Sequence, residues 1–114
     1  MIIYISGPIT GRDFAECEMK FSRAELEINA KGHDAINPWK IGKLLPVTFD
    51  HEDYMKVDMA IIRRCDAVYF MDDWELSKGC RAEREYCVDR GPTRKKKVFD
   101  SIDEIPEAKN VYPC

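Results

Sequence analysis

The chain has 114 residues, of which 45% are hydrophobic and 34% charged, and carries a formal net charge of −3. That length suits one domain with a single core, and no apolar run is long enough for a membrane span. The mild acidity gives no electrostatic reason to expect polymeric nucleic acid as a partner, and Met1-Ile2-Ile3-Tyr4 leads straight into fold rather than into a signal peptide.

Ile2 to Ser6 is β-branched and apolar, which predicts a buried central strand, and Gly7, Pro8 and Gly11 then break it. From Asp13 to about Ala30, Phe14, Cys17, Phe21, Ala24, Leu26 and Ile28 recur at roughly helical spacing, and Lys31-Gly32 provides a stop. His33 to Ile36 predicts a second strand, halted by Asn37-Pro38-Trp39. Residues 40–50 show no period and read as a loop with one turn at most. A second long helix is expected from Asp50 or His51 to about Arg64, followed by a third strand over Ala67 to Met71. Asp72, Asp73, Trp74 and Glu75 fall in the loop beyond that strand. A third long helix is expected from about Lys78 to Asp89, with Arg90-Gly91-Pro92 ending it. Val98-Phe99 reads as a short fourth strand, and Ser101 to Ile105 as a helical turn capped by Ser101 with Glu104 three residues on. This alternation predicts one α/β domain over residues 1–114, a flavodoxin- or Rossmann-like doubly wound fold. Its sheet is expected to be mostly parallel and four- to five-stranded, with helices on both faces.

Five cysteines without a C-x-x-C pair form neither a disulfide framework nor a metal site, and His33 and His51 lack ligand-spaced partners. A reduced, cytoplasmic chain that holds no metal is expected. The Arg94-Lys95-Lys96-Lys97 run reads as a solvated loop.

Two glycine-bearing segments, Tyr4–Gly11 and Ser77–Glu83, fall at predicted strand-to-helix junctions. In a doubly wound sheet such junctions share the edge where ligands bind, and glycine lets a ligand approach the backbone. Neither segment is a G-x-G-x-x-G fingerprint or a P-loop, so dinucleotide binding and ATP hydrolysis are disfavoured and no cofactor is expected. Glu83, one turn into its helix beside Gly79, is a candidate nucleophile or base; read plainly, it is a surface acid complementing the helix dipole. Glu85 lies two residues further, about 200° around the helix, so only one of the pair can face a pocket. Cys80 is a poor nucleophile candidate because no histidine accompanies it in sequence.

The Tyr-Ile-Ser-Gly-Pro-Ile start, Asn37-Pro38-Trp39, Asp58 followed by Cys65-Asp66-Ala67, and Trp74-x-x-Ser77-x-Gly79-x-x-x-Glu83 resemble a small DUF4406-like family of bacterial and phage proteins. That family is similar to the nucleoside 2-deoxyribosyltransferases and the 2′-deoxynucleoside 5′-monophosphate N-glycosidases. The resemblance runs over roughly residues 1–90. It implies that Glu83 attacks the anomeric carbon to form a covalent 2-deoxyribosyl intermediate, and that Asp58 orients the substrate or assists protonation of the leaving base. It further implies that Tyr4, Gly7, Pro8, Ile9 and Gly11 surround the substrate, with Ser77 near a phosphate or sugar and Gly79 beside it. Trp39 and Trp74 are candidates for stacking on a base, or plain packing residues. Thr10 departs from the pattern, standing where the monophosphate glycosidases carry arginine; Arg12, Lys78 and Arg81 are the neighbouring cations available in its place. A homo-oligomer and a small nucleoside or nucleotide substrate are implied by the same resemblance. The expected function is cleavage of an N-glycosidic bond, by hydrolysis or base exchange. The alternative is a nucleotide- or nucleotide-sugar-binding module without turnover.

Overall fold

The computed structural model describes residues 1–88 and 96–108. Among these residues four strands form one sheet: β1 (Ile2–Ser6), β2 (Asp34–Ile36), β3 (Ala67–Phe70) and β4 (Lys97–Phe99). Their order is β2-β1-β3-β4 and every pairing is parallel, with Tyr4 opposite Ile36 on one side and Val68 on the other. This is the expected doubly wound α/β fold with four strands. The chain leaves β1 towards one sheet edge and β3 towards the other, so the switch point lies beyond the carboxyl ends of these two strands.

The helices are α1 (Phe14–Ala30), α2 (Pro38–Gly42), α3 (His51–Arg64) and α4 (Lys78–Val88). Period-two alternation along the strands divides the core between the two sheet faces. Ile3, Ile5, Ala67 and Met71 pack with Cys17, Phe21, Ala24 and Ile28 of α1. Tyr4, Val68 and Phe70 pack on the other face with Ile62 of α3 and Cys87 of α4. Ile105, from beyond β4, is 1% exposed and closes the α1 face.

Several elements differ from the sequence expectation. Asn37-Pro38-Trp39 opens a helix as well as ending a strand: the Asn37 side chain accepts the N–H groups of Trp39 and Lys40, with Pro38 in the first turn. The period-based reading passed over α2 because five residues are too few to show a period, although an Asn cap followed by Pro is itself a start signal. Phe14 and Leu26 are largely exposed, since the buried stripe of α1 runs Cys17, Phe21, Ala24, Ile28 and leaves both out of phase. Strand β2 begins at Asp34, and β3 ends at Phe70 although Met71 donates its N–H to the Ser6 carbonyl. A short 3₁₀ turn occupies Trp74–Leu76, within the segment expected as loop. The turn at Ile102–Glu104 exists, but Ser101 makes no side-chain cap; Glu104 instead accepts the N–H of Asp100. The expected helix end at Asp89 to Pro92, the Arg94-Lys95 half of the basic run and the tail from Asn110 to Cys114 lie outside the described residues. Among the described residues, no helix is long and apolar enough to cross a membrane.

Candidate functional site

The carboxyl end of β1 opens into a cavity of about 480 Å³, walled by β1 and the loop after it, α2, α3 and the start of α4. Glu83 lies at its floor. Its carboxylate is 4% exposed, and its Oε1 accepts the Ser6 hydroxyl at 2.7 Å while Oε2 accepts the Tyr4 hydroxyl at 3.0 Å. Tyr4 and Ser6 are two apart on β1, so both project to the face that α4 covers. No described cation pairs with Glu83. Burial pushes its carboxyl up to about 7, with the Asp58 charge adding to the rise and the two hydroxyls opposing it. The Tyr4 phenol is raised as well, first by burial and then by the negative charge of Glu83 and Asp58.

Asp58 faces the same cavity from α3. It is half-buried, and desolvation lifts its carboxyl to about 6 against the opposing effects of the Tyr4 hydroxyl and of His51. His51, Met55 and Asp58 stand at i, i+4 and i+7, one stripe of α3, and all three line the cavity. The site therefore presents two carboxyl groups held near neutral ionisation beside an apolar wall that includes Trp39, Phe49 and Tyr54.

The structure brings together Glu83, Asp58, Tyr4, Gly7, Ile9, Trp39, Ser77 and Gly79 around this cavity, whereas Pro8 and Gly11 stand outside its wall. Gly11 instead supplies a left-handed turn, φ +76°. Two other glycines are explained by packing. A Cβ on Gly7 would stand 2.5 Å from the Met71 sulfur, and one on Gly79 would stand 3.2 Å from the Met55 sulfur. Ser77 caps α4, its hydroxyl oxygen accepting the Cys80 N–H at 3.2 Å.

Trp39 lines the cavity with its ring edge-on to Phe14 and its indole N–H donated to Glu18. Trp74 does not line it; that ring packs on Phe70 and lies 4.4 Å from the Arg84 guanidinium. Glu85 is exposed, which leaves Glu83 as the acid facing inward. Cys80 is buried beside Glu83, and desolvation pushes its thiol up, away from the reactive thiolate.

None of the three cations considered for the place of the missing arginine lines the cavity. Arg12 pairs with Asp73 at 3.2 Å, Arg81 donates to the Glu75 carbonyl at 2.7 Å, and Lys78 is exposed. Ser6 and His51 were not singled out from sequence. The i, i+2 relation to Tyr4 would have found Ser6, and the stripe through Asp58 would have found His51. Among the described residues no group of three His, Cys, Asp or Glu side chains is arranged to hold a metal ion.

No curated protein and no solved structure matches this chain. A match does extend over residues 1–93, from β1 through the Glu83-bearing helix, to the family described as Domain of unknown function (DUF4406), and the chain belongs to that family.

Proposed function

We propose that this protein cleaves the N-glycosidic bond of a 2′-deoxynucleoside or its 5′-monophosphate, with Glu83 as nucleophile and Asp58 as acid. The observation that carries this reading is a carboxyl group at a cavity floor, 4% exposed, held by two hydroxyls and no described cation. A fold gains little stability from such a group, and ionisable groups perturbed by burial in a cleft concentrate at functional sites.

In the first step a Glu83 oxygen bonds to the anomeric carbon as the bond to the base nitrogen breaks. The bonding pair leaves with the base, and a proton from Asp58 neutralises it. A carboxylate suits the oxocarbenium-like transition state because it stabilises positive charge and then captures the carbon. In the second step water attacks the anomeric carbon and breaks its bond to Glu83, passing a proton to the Asp58 carboxylate, or a nitrogen of a second base attacks and passes its proton the same way. Both routes regenerate the Glu83 carboxylate. A homo-oligomer belongs to the same proposal, and light scattering reads it directly.

The two carboxyl groups titrate as a pair and jointly retain about one proton between pH 6 and 7. The reaction needs Glu83 ionised and Asp58 protonated, the less populated placement of that proton because Glu83 holds it more tightly. The share of this form still peaks in that window, so base release is greatest there and falls on either side. The test is chromatographic release of free base from deoxynucleosides and their 5′-monophosphates, with and without an acceptor base. Glu83→Ala lowers release roughly a thousandfold or more, and Asp58→Asn roughly a hundredfold. Binding of these compounds with no release from any of them moves the assignment to a nucleotide-binding module.

A further inference from the structure

We infer that His51 is the specificity residue that selects a 5′-phosphorylated substrate, donating a ring N–H to the phosphate beside Ser77. This rests on the reading of the cavity as a 2′-deoxynucleoside site.

Among the described residues, two basic side chains line the cavity, Lys43 and His51. Lys43 is already committed, its ammonium 2.9 and 3.1 Å from the two carboxylate oxygens of Glu18. His51 makes no hydrogen bond or ion pair with another described residue, and its ring is open to the cavity mouth. Its position is defined from the opposite wall: the Cβ site of Gly79 lies 3.7 Å from the imidazole Cε1 and 3.8 Å from the Ser77 hydroxyl oxygen. The imidazole and the Ser77 hydroxyl thus flank one point on the cavity rim. The Ser77 oxygen accepts from the Cys80 N–H, and its proton faces the Cys80 thiol, a weak acceptor that a phosphate oxygen outcompetes.

The placement fits a phosphate better than a base. The aromatic side chains Trp39, Phe49 and Tyr54 offer flat apolar surface to a base, whereas the His51–Ser77 corner offers two hydrogen-bond donors. The floor, by contrast, is acidic through Glu83 and Asp58 and would repel a phosphate dianion. Selection of a monophosphate over a nucleoside therefore requires a donor at the rim, away from Glu83 and Asp58; the third acid of the lining, Asp50, has an oxygen bound to the Asp53 N–H. His51 begins α3, seven residues and two helical turns before Asp58, which sets it at that distance.

Calorimetric titration with 2-deoxyribose 5-phosphate and with 2-deoxyribose tests the assignment without requiring turnover. The wild-type protein should bind the sugar phosphate more tightly than the sugar. His51→Ala should weaken sugar-phosphate binding about tenfold, the loss of one charge-assisted hydrogen bond, and His51→Arg should restore it. The residue is exposed at a helix start, so both variants fold. Equal binding of sugar and sugar phosphate by the wild type, or undiminished binding by His51→Ala, overturns the inference. A protein that binds the sugar phosphate through His51 yet releases no base keeps this assignment and loses the glycosidic one.

Discussion

Glu83 shows how one side chain acquires chemistry from its surroundings. Seen from the backbone it is an ordinary helical glutamate, but with 4% exposure its charged form is disfavoured and its carboxyl rises to about 7. The effect on stability follows from linkage. A pKa raised in the folded state favours folding fully below the unfolded value, near 4.5, and that contribution is lost as pH rises through about 7. Glu83→Gln keeps an acceptor for one of the two hydroxyls, offers the other an N–H to accept in place of its own donation, and removes the buried charge. The variant should be more stable than wild type by about 3 kcal/mol at pH 8, with the difference vanishing near pH 4. Urea unfolding at the two pH values measures this; an equal difference at both would mean that the Glu83 carboxyl is not raised in the native protein. A gain in stability on loss of the nucleophile is the usual mark of a residue kept for chemistry rather than for folding.

At the scale of elements, α3 carries both Asp58 and His51, so its start sets the reach of both. Asp50 and Asp53 bind each other's backbone N–H groups at 2.9 Å, a reciprocal cap that holds the first turn. Asp50→Ala should lower stability by about 1 kcal/mol, read as a shifted urea midpoint, and an unchanged midpoint would show that the cap contributes nothing. This helix was legible because it is long and an acid stands at its start. The five-residue α2 was not, although Asn37-Pro38 signals it, because a short helix depends on its cap more than on any periodic face. Pattern also overcounted the core, since Leu26 follows Ala24 by two residues and the helix turns it to solvent.

For the whole molecule, the match to DUF4406 stops at residue 93, but the core does not. Strand β4 pairs with β3 beyond that point, and Ile105 seals the α1 face. The segment around Ile105 is tied back to the body of the domain: the Lys31 ammonium donates to the Ile102 and Ile105 carbonyls at 2.8 Å each, and the His33 Nε2 bonds the Pro106 carbonyl. Ile105→Ala should therefore cost about 2–4 kcal/mol in chemical denaturation, as for a buried core isoleucine. A cost below about 1 kcal/mol would show that the segment is an appendage and not part of the folding unit.

The features legible in the sequence were local: the β-branched run of β1, the α1 stripe, the alternation that makes the sheet parallel, and the spacing that lets only one of Glu83 and Glu85 face a pocket. These are legible because strand and helix periods repeat within a few residues. Which groups surround Glu83 is set by the packing of segments distant in the chain. Tyr4 and Ser6 reach it across 79 and 77 residues of chain, His51 comes to lie beside Gly79, and Arg12, Lys78 and Arg81 are left outside the cavity. The ionisation of the two acids follows from that assembly, because desolvation is set by every element packed around a group and not by its neighbours in sequence.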